Sequence, residues 1–141
     1  MDGLNKSIDE LLRAPYWIID ILPMQVPKDS PGQYFAVEKY YLSRPRLSEI
    51  KKKHVNTVLK LNCFVSLSLD EESDLNPPPQ RIDEAVTGRH VNIMLGGSML
   101  VSEPDETYMT LYNPDEELLW LIGVISLGEG LYVWQPEHFN G

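Results

Sequence analysis

The stretch Val91-Asn-Ile-Met-Leu-Gly-Gly-Ser-Met-Leu-Val-Ser102 decides the fold of this 141-residue chain. Five residues that are mostly apolar lie on each side of Gly96-Gly97. Two adjacent glycines tolerate the positive φ angles that a two-residue hairpin turn demands. The stretch therefore predicts an antiparallel hairpin, with strands from Val91 to Leu95 and from Ser98 to Ser102.

The residues after the hairpin continue the sheet and add one helix. Glu103 to Glu106 predicts a turn, because it combines proline with carboxylates. Asn113-Pro-Asp-Glu-Glu117 predicts a helix start, with Asn113 as the cap and carboxylates facing the positive end of the helix dipole. That helix is expected to end near Leu127. Two further strands are predicted: Thr107 to Tyr112 and Leu131 to Trp134.

The first 42 residues predict two helices around one strand. Ser7-Ile-Asp-Glu10 has the spacing of a capping box, so a helix should run to about Arg13. Tyr16 to Leu22 is rich in aromatic and β-branched residues and predicts a strand, which the proline-rich loop Pro23 to Pro31 ends. Gly32 to Leu42 predicts a helix with apolar residues around most of its circumference, so we expect it to be largely buried.

The middle of the chain combines two patterns. Arg46 to Lys53 predicts a short basic helix. From Val55 to Leu69 apolar residues fall on alternate positions, the period of a half-buried strand, so we interpret this segment as one long strand. Cys63 lies in register with those apolar residues and is expected to face the core.

A loop and a helix connect this segment to the hairpin. Asp70 to Asn76 predicts an acidic loop, and Gln80 to Thr87 a helix that Gly88 can end in a left-handed conformation. The order of elements predicts a single α+β domain over residues 1–141. We expect a mixed, mainly antiparallel sheet of about five strands, with helices packed on one face.

Charge is distributed unevenly along the chain. No lysine or arginine follows Arg89, whereas six of the twelve cationic residues lie between positions 44 and 60. The net charge of -9 disfavours direct binding to nucleic acids or anionic membranes, because the summed field repels phosphates. A basic protein partner is favoured instead. Eight carboxylates follow Arg89: Glu103, Asp105, Glu106, Asp115, Glu116, Glu117, Glu129 and Glu137.

Cysteine usage and hydropathy indicate a cytoplasmic location. Cys63 is the single cysteine, so an intrachain disulfide cannot form. Residues 1–6 lack the charged start and apolar run of a signal peptide, and no apolar run approaches the roughly 20 residues of a membrane span.

Motifs for metal and cofactor binding fail on inspection. Asp70 begins a calcium-loop pattern, but Leu75 stands where a turn needs glycine and Arg81 where a glutamate should be. The histidines lie far apart in sequence, without the spacing of ligands: His54, His90 and His138. We therefore expect no metal and no cofactor.

One short motif relates to catalysis. Ser48-Glu-Ile-Lys51 matches the serine and lysine spacing of some acyl-transfer enzymes, but their companion motifs SDN and KTG are missing. The sequence disfavours an enzyme without deciding the question, because catalytic residues often meet only in the fold.

Two functional hypotheses follow. In the first, the protein is a non-catalytic interaction or regulatory module, similar to an inhibitor or immunity protein, and one negative patch contacts a basic protein. The second is a small-molecule-binding protein or minor enzyme with a pocket near the Pro23 to Pro31 loop, using Asp20, Tyr34 and Glu38. The sequence leaves homo-oligomer formation open. The patch of the first hypothesis comprises six carboxylates: Glu103, Asp105, Glu106, Asp115, Glu116 and Glu117.

The aromatic residues allow two interpretations of where their side chains lie. Most should pack in the core, where such side chains dominate. The alternative is that some of them lie on the surface as interface anchors, because tyrosine and tryptophan are enriched there. The candidates for that role are Tyr34, Tyr40, Tyr41 and Trp120.

Overall fold

Residues 7–136, which the computed structural model describes, form a mixed α+β fold around one antiparallel sheet. The predicted fold class and order of elements are confirmed, with six strands rather than about five. Two residues singled out in the sequence, Glu137 and His138, lie outside the described range. The elements are α1 (Ile8–Leu11), β1 (Tyr16–Asp20), α2 (Tyr34–Leu42), α3 (Arg46–Asn62), β2 (Ser68–Leu69), α4 (Pro79–Gly88), β3 (Val91–Leu95), β4 (Ser98–Ser102), β5 (Met109–Tyr112), α5 (Glu116–Gly128) and β6 (Tyr132–Trp134).

The sheet has the strand order β2-β3-β4-β5-β1-β6, with every neighbouring pair antiparallel. The predicted hairpin is confirmed as β3 and β4, in which Leu95 lies opposite Ser98. Gly96 adopts a left-handed φ of 69° in the turn, where a side chain would be strained. β1 lies between β5 and β6, so the first strand within residues 7–136 pairs with two of the last three in that range.

The two faces of the sheet are covered differently. Ile93, Leu100 and Leu111 alternate with outward-facing neighbours and join the main core, into which α3, α4 and α5 also contribute buried side chains. α1 contacts β4, and Leu11 and Met99 are fully buried without belonging to that core. The long helices α3, α4 and α5 thus pack on one face as predicted, and the one-turn α1 packs on the other.

The long strand predicted between Val55 and Leu69 is wrong. Arg46–Asn62 forms the 17-residue helix α3, and only Ser68–Leu69 is a strand. Val58 and Phe64 interrupt the apparent alternation. Spacings of three and four residues, the period of a helix, relate the buried side chains instead: Ile50, His54, Val58 and Leu61.

Three local predictions also need correction. Cys63 is exposed at the end of α3, because the helix leaves it outside the core. Gly88 ends α4 without the left-handed conformation, since the chain continues in extended form. Asp115, rather than Asn113, caps α5, and its Oδ1 accepts a hydrogen bond of 2.8 Å from the Leu118 backbone.

Helix α2 is not buried, contrary to the expectation from its composition. It has no buried residue, and Phe35 is 80% exposed. Apolar residues around the whole circumference do not specify which side packs, and the core face of the sheet is already covered by the other helices. α2 packs against α3 instead, where the guanidinium of Arg46 lies 4.1 Å from the centre of the Tyr40 ring.

Candidate functional site

Three segments that are distant in sequence bring five carboxylates into one neighbourhood. Asp20 ends β1, Glu38 lies on α2, and the other three lie on the loop between β4 and β5. Burial raises the pKa of both Asp20 and Glu106, and the negative charge of Glu38 raises both further. Glu103 and Asp105 also raise the pKa of Glu106. We call these five residues the acidic cluster.

Two tyrosines lie among these carboxylates. The Tyr34 hydroxyl donates a hydrogen bond of 3.0 Å to Glu38 Oε2. Burial, then the hydrogen bond and charge of Glu38, raise the pKa of Tyr34 to about 12. Burial also raises the pKa of Tyr108, and the charges of Glu106 and Glu103 add to that effect. Both phenols therefore remain protonated hydrogen-bond donors at neutral pH.

Lys51 holds the β4–β5 loop through two hydrogen bonds. Its side chain comes from α3, and the residue is only 4% exposed. Nζ donates hydrogen bonds to Ser102 Oγ at 3.0 Å and to the Glu103 carbonyl at 2.7 Å. Burial lowers the pKa of Lys51 to about 8, although the charges of Glu103, Asp105 and Glu106 act to raise it. The ammonium is therefore mostly protonated at neutral pH and opposes part of the negative charge.

The serine and lysine motif does not form an accessible catalytic pair. Ser48 and Lys51 line the same cleft, but the hydrogen bonds of the Lys51 amine go to Ser102 and the neighbouring loop carbonyl. Ser102 is fully buried. An acyl-transfer serine needs a neighbouring base. Ser48 is exposed, but the Lys51 amine that would activate it is directed to the loop, so Lys51 and Ser102 serve to hold the loop.

His54 is the second buried polar group beneath the loop. Its Nε2 lies 3.2 Å from the Thr107 carbonyl oxygen, so this nitrogen carries the hydrogen and donates. Nδ1 has no hydrogen-bond partner among the described residues. Burial lowers the pKa of His54 to about 3, and the nearby charge of Lys51 lowers it too, against the opposing effect of the Thr107 hydrogen bond. The ring is therefore neutral at physiological pH.

A histidine on the surface engages one member of the acidic cluster. His90 Nδ1 lies 2.6 Å from Glu103 Oε2, and the other ring nitrogen lies 3.1 Å from Asn92 Oδ1. Both side chains of the His90 and Glu103 pair are about half exposed. Because both side chains are solvent-accessible, this contact contributes little to stability.

The remaining carboxylates of the predicted patch lie elsewhere. Asp115, Glu116 and Glu117 are exposed at the start of α5 and are called the α5 acidic group. They follow the last residue of β5, whereas Glu106 precedes its first. A strand of four residues spans roughly 10 Å, so the two groups lie at opposite ends of β5 and are described separately. That the six residues act as one patch stays a prediction.

The residues of the alternative pocket belong to this same neighbourhood. Asp20 and Glu38 belong to the acidic cluster, and Tyr34 interacts with both of them. The cleft that Pro23 lines measures about 410 Å³ and has walls from Trp17 and other apolar side chains. The proline-rich loop and the three polar residues are thus associated with different surfaces.

A larger cleft lies beside the acidic cluster. It measures about 890 Å³ and is bounded by the segment before α3, the end of α4 and the β4–β5 loop. Arg44 and Asp105 both line it, so opposite charges meet across its walls. Lys51 also reaches this cleft, although most of that side chain is covered.

Comparisons with known proteins return no significant match, whether with protein-family models, curated proteins or solved structures. Across residues 7–136, histidine, cysteine and carboxylate side chains form no group of three that could hold a metal ion. None of the helices in this range is long and apolar enough to cross a membrane.

Sequence reasoning missed three residues of the site: Lys51, His54 and Tyr108. Lys51 and His54 lie three residues apart, at the spacing of one helix face, among buried apolar residues of α3. That position would have marked both as buried polar groups if the segment had been recognised as one helix. Tyr108 carries no comparable signal, because its neighbours come from distant segments.

Proposed function

We propose that the protein is a small non-catalytic interaction module that binds a basic protein through the acidic cluster, as an inhibitor or immunity protein would. The supporting observation is the convergence of Asp20 and Glu38 with the carboxylates of the β4–β5 loop. Raised pKa values at Asp20 and Glu106 mean that the folded protein disfavours their charged forms. Burial is the larger cause of these shifts, and the charges of neighbouring carboxylates add to it. A cationic partner would offset the repulsion between the carboxylates and so be favoured over neutral surfaces.

Exposed aromatic residues of α2 supply the second requirement of an interface. Phe35 and Tyr40 are exposed on the helix that also carries Glu38. Aromatic side chains are enriched among the residues that contribute most to binding, and carboxylates beside them would select a basic partner. Tyr34 and Tyr41 are half-buried and lie at helical spacing from Glu38, on the same side of α2 as that carboxylate.

The contact between Arg46 and Tyr40 indicates how a partner could bind. The Arg46 guanidinium covers a tyrosine face at 4.1 Å, which is the geometry of a cation–π interaction. An arginine of the partner could make the same kind of contact with a neighbouring aromatic ring while pairing with Glu38. Arginine suits both roles, because its planar group stacks and also binds carboxylates.

A charge-reversal pair tests this function. Glu38→Lys with Asp105→Lys changes the acidic cluster, and Glu116→Lys with Glu117→Lys makes the same change in net charge at the α5 acidic group. Pull-downs from native cell lysate at low and high salt, read by mass spectrometry, should show a basic protein that binds wild type in a salt-sensitive manner. Capture should be lost in the first variant and retained in the second.

Equal capture by both variants, or equal loss in both, would contradict the proposal. Thermal unfolding of each variant must show that the fold persists. A partner identified in this way is then purified and titrated against the same variants, so that the comparison does not depend on other proteins in the lysate.

The small-molecule alternative stays a prediction, supported by the hydrogen bond between Tyr34 and Glu38. A ligand at that site should bind preferentially to the folded state and so raise the melting temperature. At a hundredfold excess over its dissociation constant, it should increase the free energy of unfolding by about 2.7 kcal/mol. Tyr34→Phe should remove that stabilisation. A metabolite screen without any shift would count against this alternative.

A further inference from the structure

Helix α5 has an apolar outer face in addition to its buried inner face. Leu118, Ile122 and Ile125 point into the core. On the opposite side, Trp120 is 69% exposed, Val124 50% and Leu127 62%. Spacings of four and three residues place these three side chains in one line, here called the α5 outer strip. A helix that is apolar all round is normally covered on both sides.

Clefts on either side widen this apolar surface. One cleft of about 660 Å³ lies between Trp120 and the exposed ring of Phe64. Another, the cleft lined by Pro23, lies between Trp120 and the edge strand β6, with Tyr132 in its wall. The apolar surface therefore continues across α5 in both directions. Continuous surfaces of this kind are typical of protein–protein interfaces.

The sequence of the strip is suited to contact with its own copy. Gly123 lies at its middle, and a Cβ built there would meet nothing within 4 Å. Glycine at this position permits a second helix to approach closely. Trp120 and Leu127 lie at equal distances from the midpoint between residues 123 and 124. A twofold axis through that midpoint would place each tryptophan against Leu127 of the second copy.

Charge favours the antiparallel orientation of two such helices. The start of α5 carries the α5 acidic group, described above. At the other end, Lys53 Nζ donates to the Glu129 carbonyl at 2.9 Å, and Lys60 pairs with the Glu129 carboxylate while its own side chain stays about half exposed. Among the described residues in these contacts, two lysines therefore outnumber one carboxylate at the end of the helix. Antiparallel packing brings this end to the acidic start of the second copy, whereas parallel packing would superpose like charges.

We infer that the protein forms a symmetric homodimer, in which α5 packs antiparallel against α5 of a second copy through Trp120, Val124 and Leu127. This inference goes beyond the proposed function and does not depend on it. The acidic cluster precedes β5 and the α5 outer strip follows it, so each dimer would carry two acidic clusters for partner binding.

Sedimentation of the full chain over a wide concentration range tests this inference. Wild type should approach about 32 kDa, which is twice the 16.1 kDa of the chain. Gly123→Leu should raise the dimer dissociation constant at least tenfold, because a large side chain would block the crossing point. This variant should remain folded, since leucine favours helix more than glycine does and space is open at that position. Trp120→Glu should have the same effect on the dimer.

The matched control is Phe35→Glu, which places the same charge on an exposed apolar residue of α2. It should leave the dimer unchanged. A wild-type protein that stays monomeric at every concentration would overturn the inference. So would a dimer that persists in Gly123→Leu and Trp120→Glu, or one that Phe35→Glu weakens equally.

Orientation is tested by oxidative crosslinking in a Cys63→Ser background, because the native cysteine is exposed. Gly123→Cys should form a disulfide-linked dimer rapidly, since residue 123 lies beside the twofold axis. Trp120→Cys should not, because antiparallel packing places residue 120 against Leu127 of the second copy, whereas parallel packing would place it against its own copy. Equal crosslinking of the two variants would contradict the antiparallel arrangement. Loss of lysate capture in the acidic-cluster variant would have no bearing on this result.

Discussion

The acidic cluster and the α5 acidic group contain the same kind of side chain in opposite physical situations. In the cluster, Glu106 lies near three other carboxylates, and its charged form is disfavoured. In the α5 acidic group, Asp115 accepts a backbone hydrogen bond and all three carboxylates face the positive end of a helix dipole. A count of acidic residues therefore does not identify a binding surface, whereas their surroundings separate charge that stabilises the fold from charge that the folded protein disfavours.

The largest effect on stability should come from His54, the buried histidine beneath the β4–β5 loop. The unfolded chain binds a proton at His54 below pH 6.5, whereas the folded protein does so only near pH 3. Stability contributed by the neutral ring is therefore present above pH 6.5 and is lost as pH falls. A difference of one bound proton changes the free energy of unfolding by about 1.4 kcal/mol per pH unit, or roughly 3 kcal/mol between pH 6.5 and 4.

Urea unfolding at several pH values measures this dependence. His54→Leu should remove most of the acid destabilisation, while His90→Gln, which changes an exposed ring, should retain it. The same pH slope in wild type and His54→Leu would show that the histidine is not responsible.

Lys51→Met should have the next largest effect, about 2 kcal/mol of destabilisation, because Ser102 Oγ and the Glu103 carbonyl would lose their charged donor. Folding lowers the pKa of Lys51 to about 8, so the folded protein loses this proton more readily than the unfolded chain. A pH-dependent contribution therefore adds to that of the hydrogen bonds: it is fully present above pH 10.5 and is lost as pH falls through about 8. The difference between wild type and variant should thus grow between pH 8 and 10. Chemical denaturation across that range is the measurement.

Lys52→Met is the control for this prediction, because Lys52 is the exposed neighbour on the same helix. Its effect should stay within about 0.5 kcal/mol. A similar loss in both variants would mean that the hydrogen bonds beneath the loop add little to stability.

Asp115→Ala should destabilise the protein by about 1 kcal/mol, since the Leu118 backbone N–H loses its acceptor at the start of α5. Asp115→Asn keeps an oxygen at the same position and should retain most of the stability. Thermal unfolding of the two variants distinguishes the hydrogen bond from the charge. If Asn is as damaging as Ala, the carboxylate acts chiefly through its charge.

The smallest expected effect on stability has opposite signs in the acidic cluster and in the α5 acidic group. Glu106→Gln should stabilise the protein by about 0.3 kcal/mol at pH 7, after allowance for solvent screening. Because folding raises the pKa of Glu106, its favourable contribution is present at low pH and is lost as pH rises, so the gain should vanish near pH 4. Glu117→Gln should instead cost about 0.3 kcal/mol through the helix dipole. Equal signs in denaturant titrations would remove the distinction between the groups.

Local sequence signals predicted the elements that depend on near neighbours. The capping box of Ser7 and Glu10 is present, with both of its hydrogen bonds. The hairpin formed because the turn and its flanking strands lie within twelve residues. Helix α3 was missed where a short alternating pattern competed with the helical period, and the fully buried Val58 was the residue that should have decided between them.

The candidate site could be predicted only in part. The carboxylates of residues 103–106 stood out through composition, but nothing in the sequence relates Asp20 or Glu38 to them. That relation depends on β1 pairing with β5 and on α2 packing against α3. Long-range pairing is set by the whole fold, so a single sequence with no helical or strand period linking these positions does not reveal it.

The position of β1 also affects how the protein is made. Ile19 pairs with Met109 and Val133, so this strand has no partners in the sheet until the last strands have been synthesised. At roughly 5–20 residues per second, translation from β1 to β6 takes on the order of 10 s. During that interval the apolar side chains of β1 have no sheet partner, and this part of the sheet closes only after β6 has been synthesised.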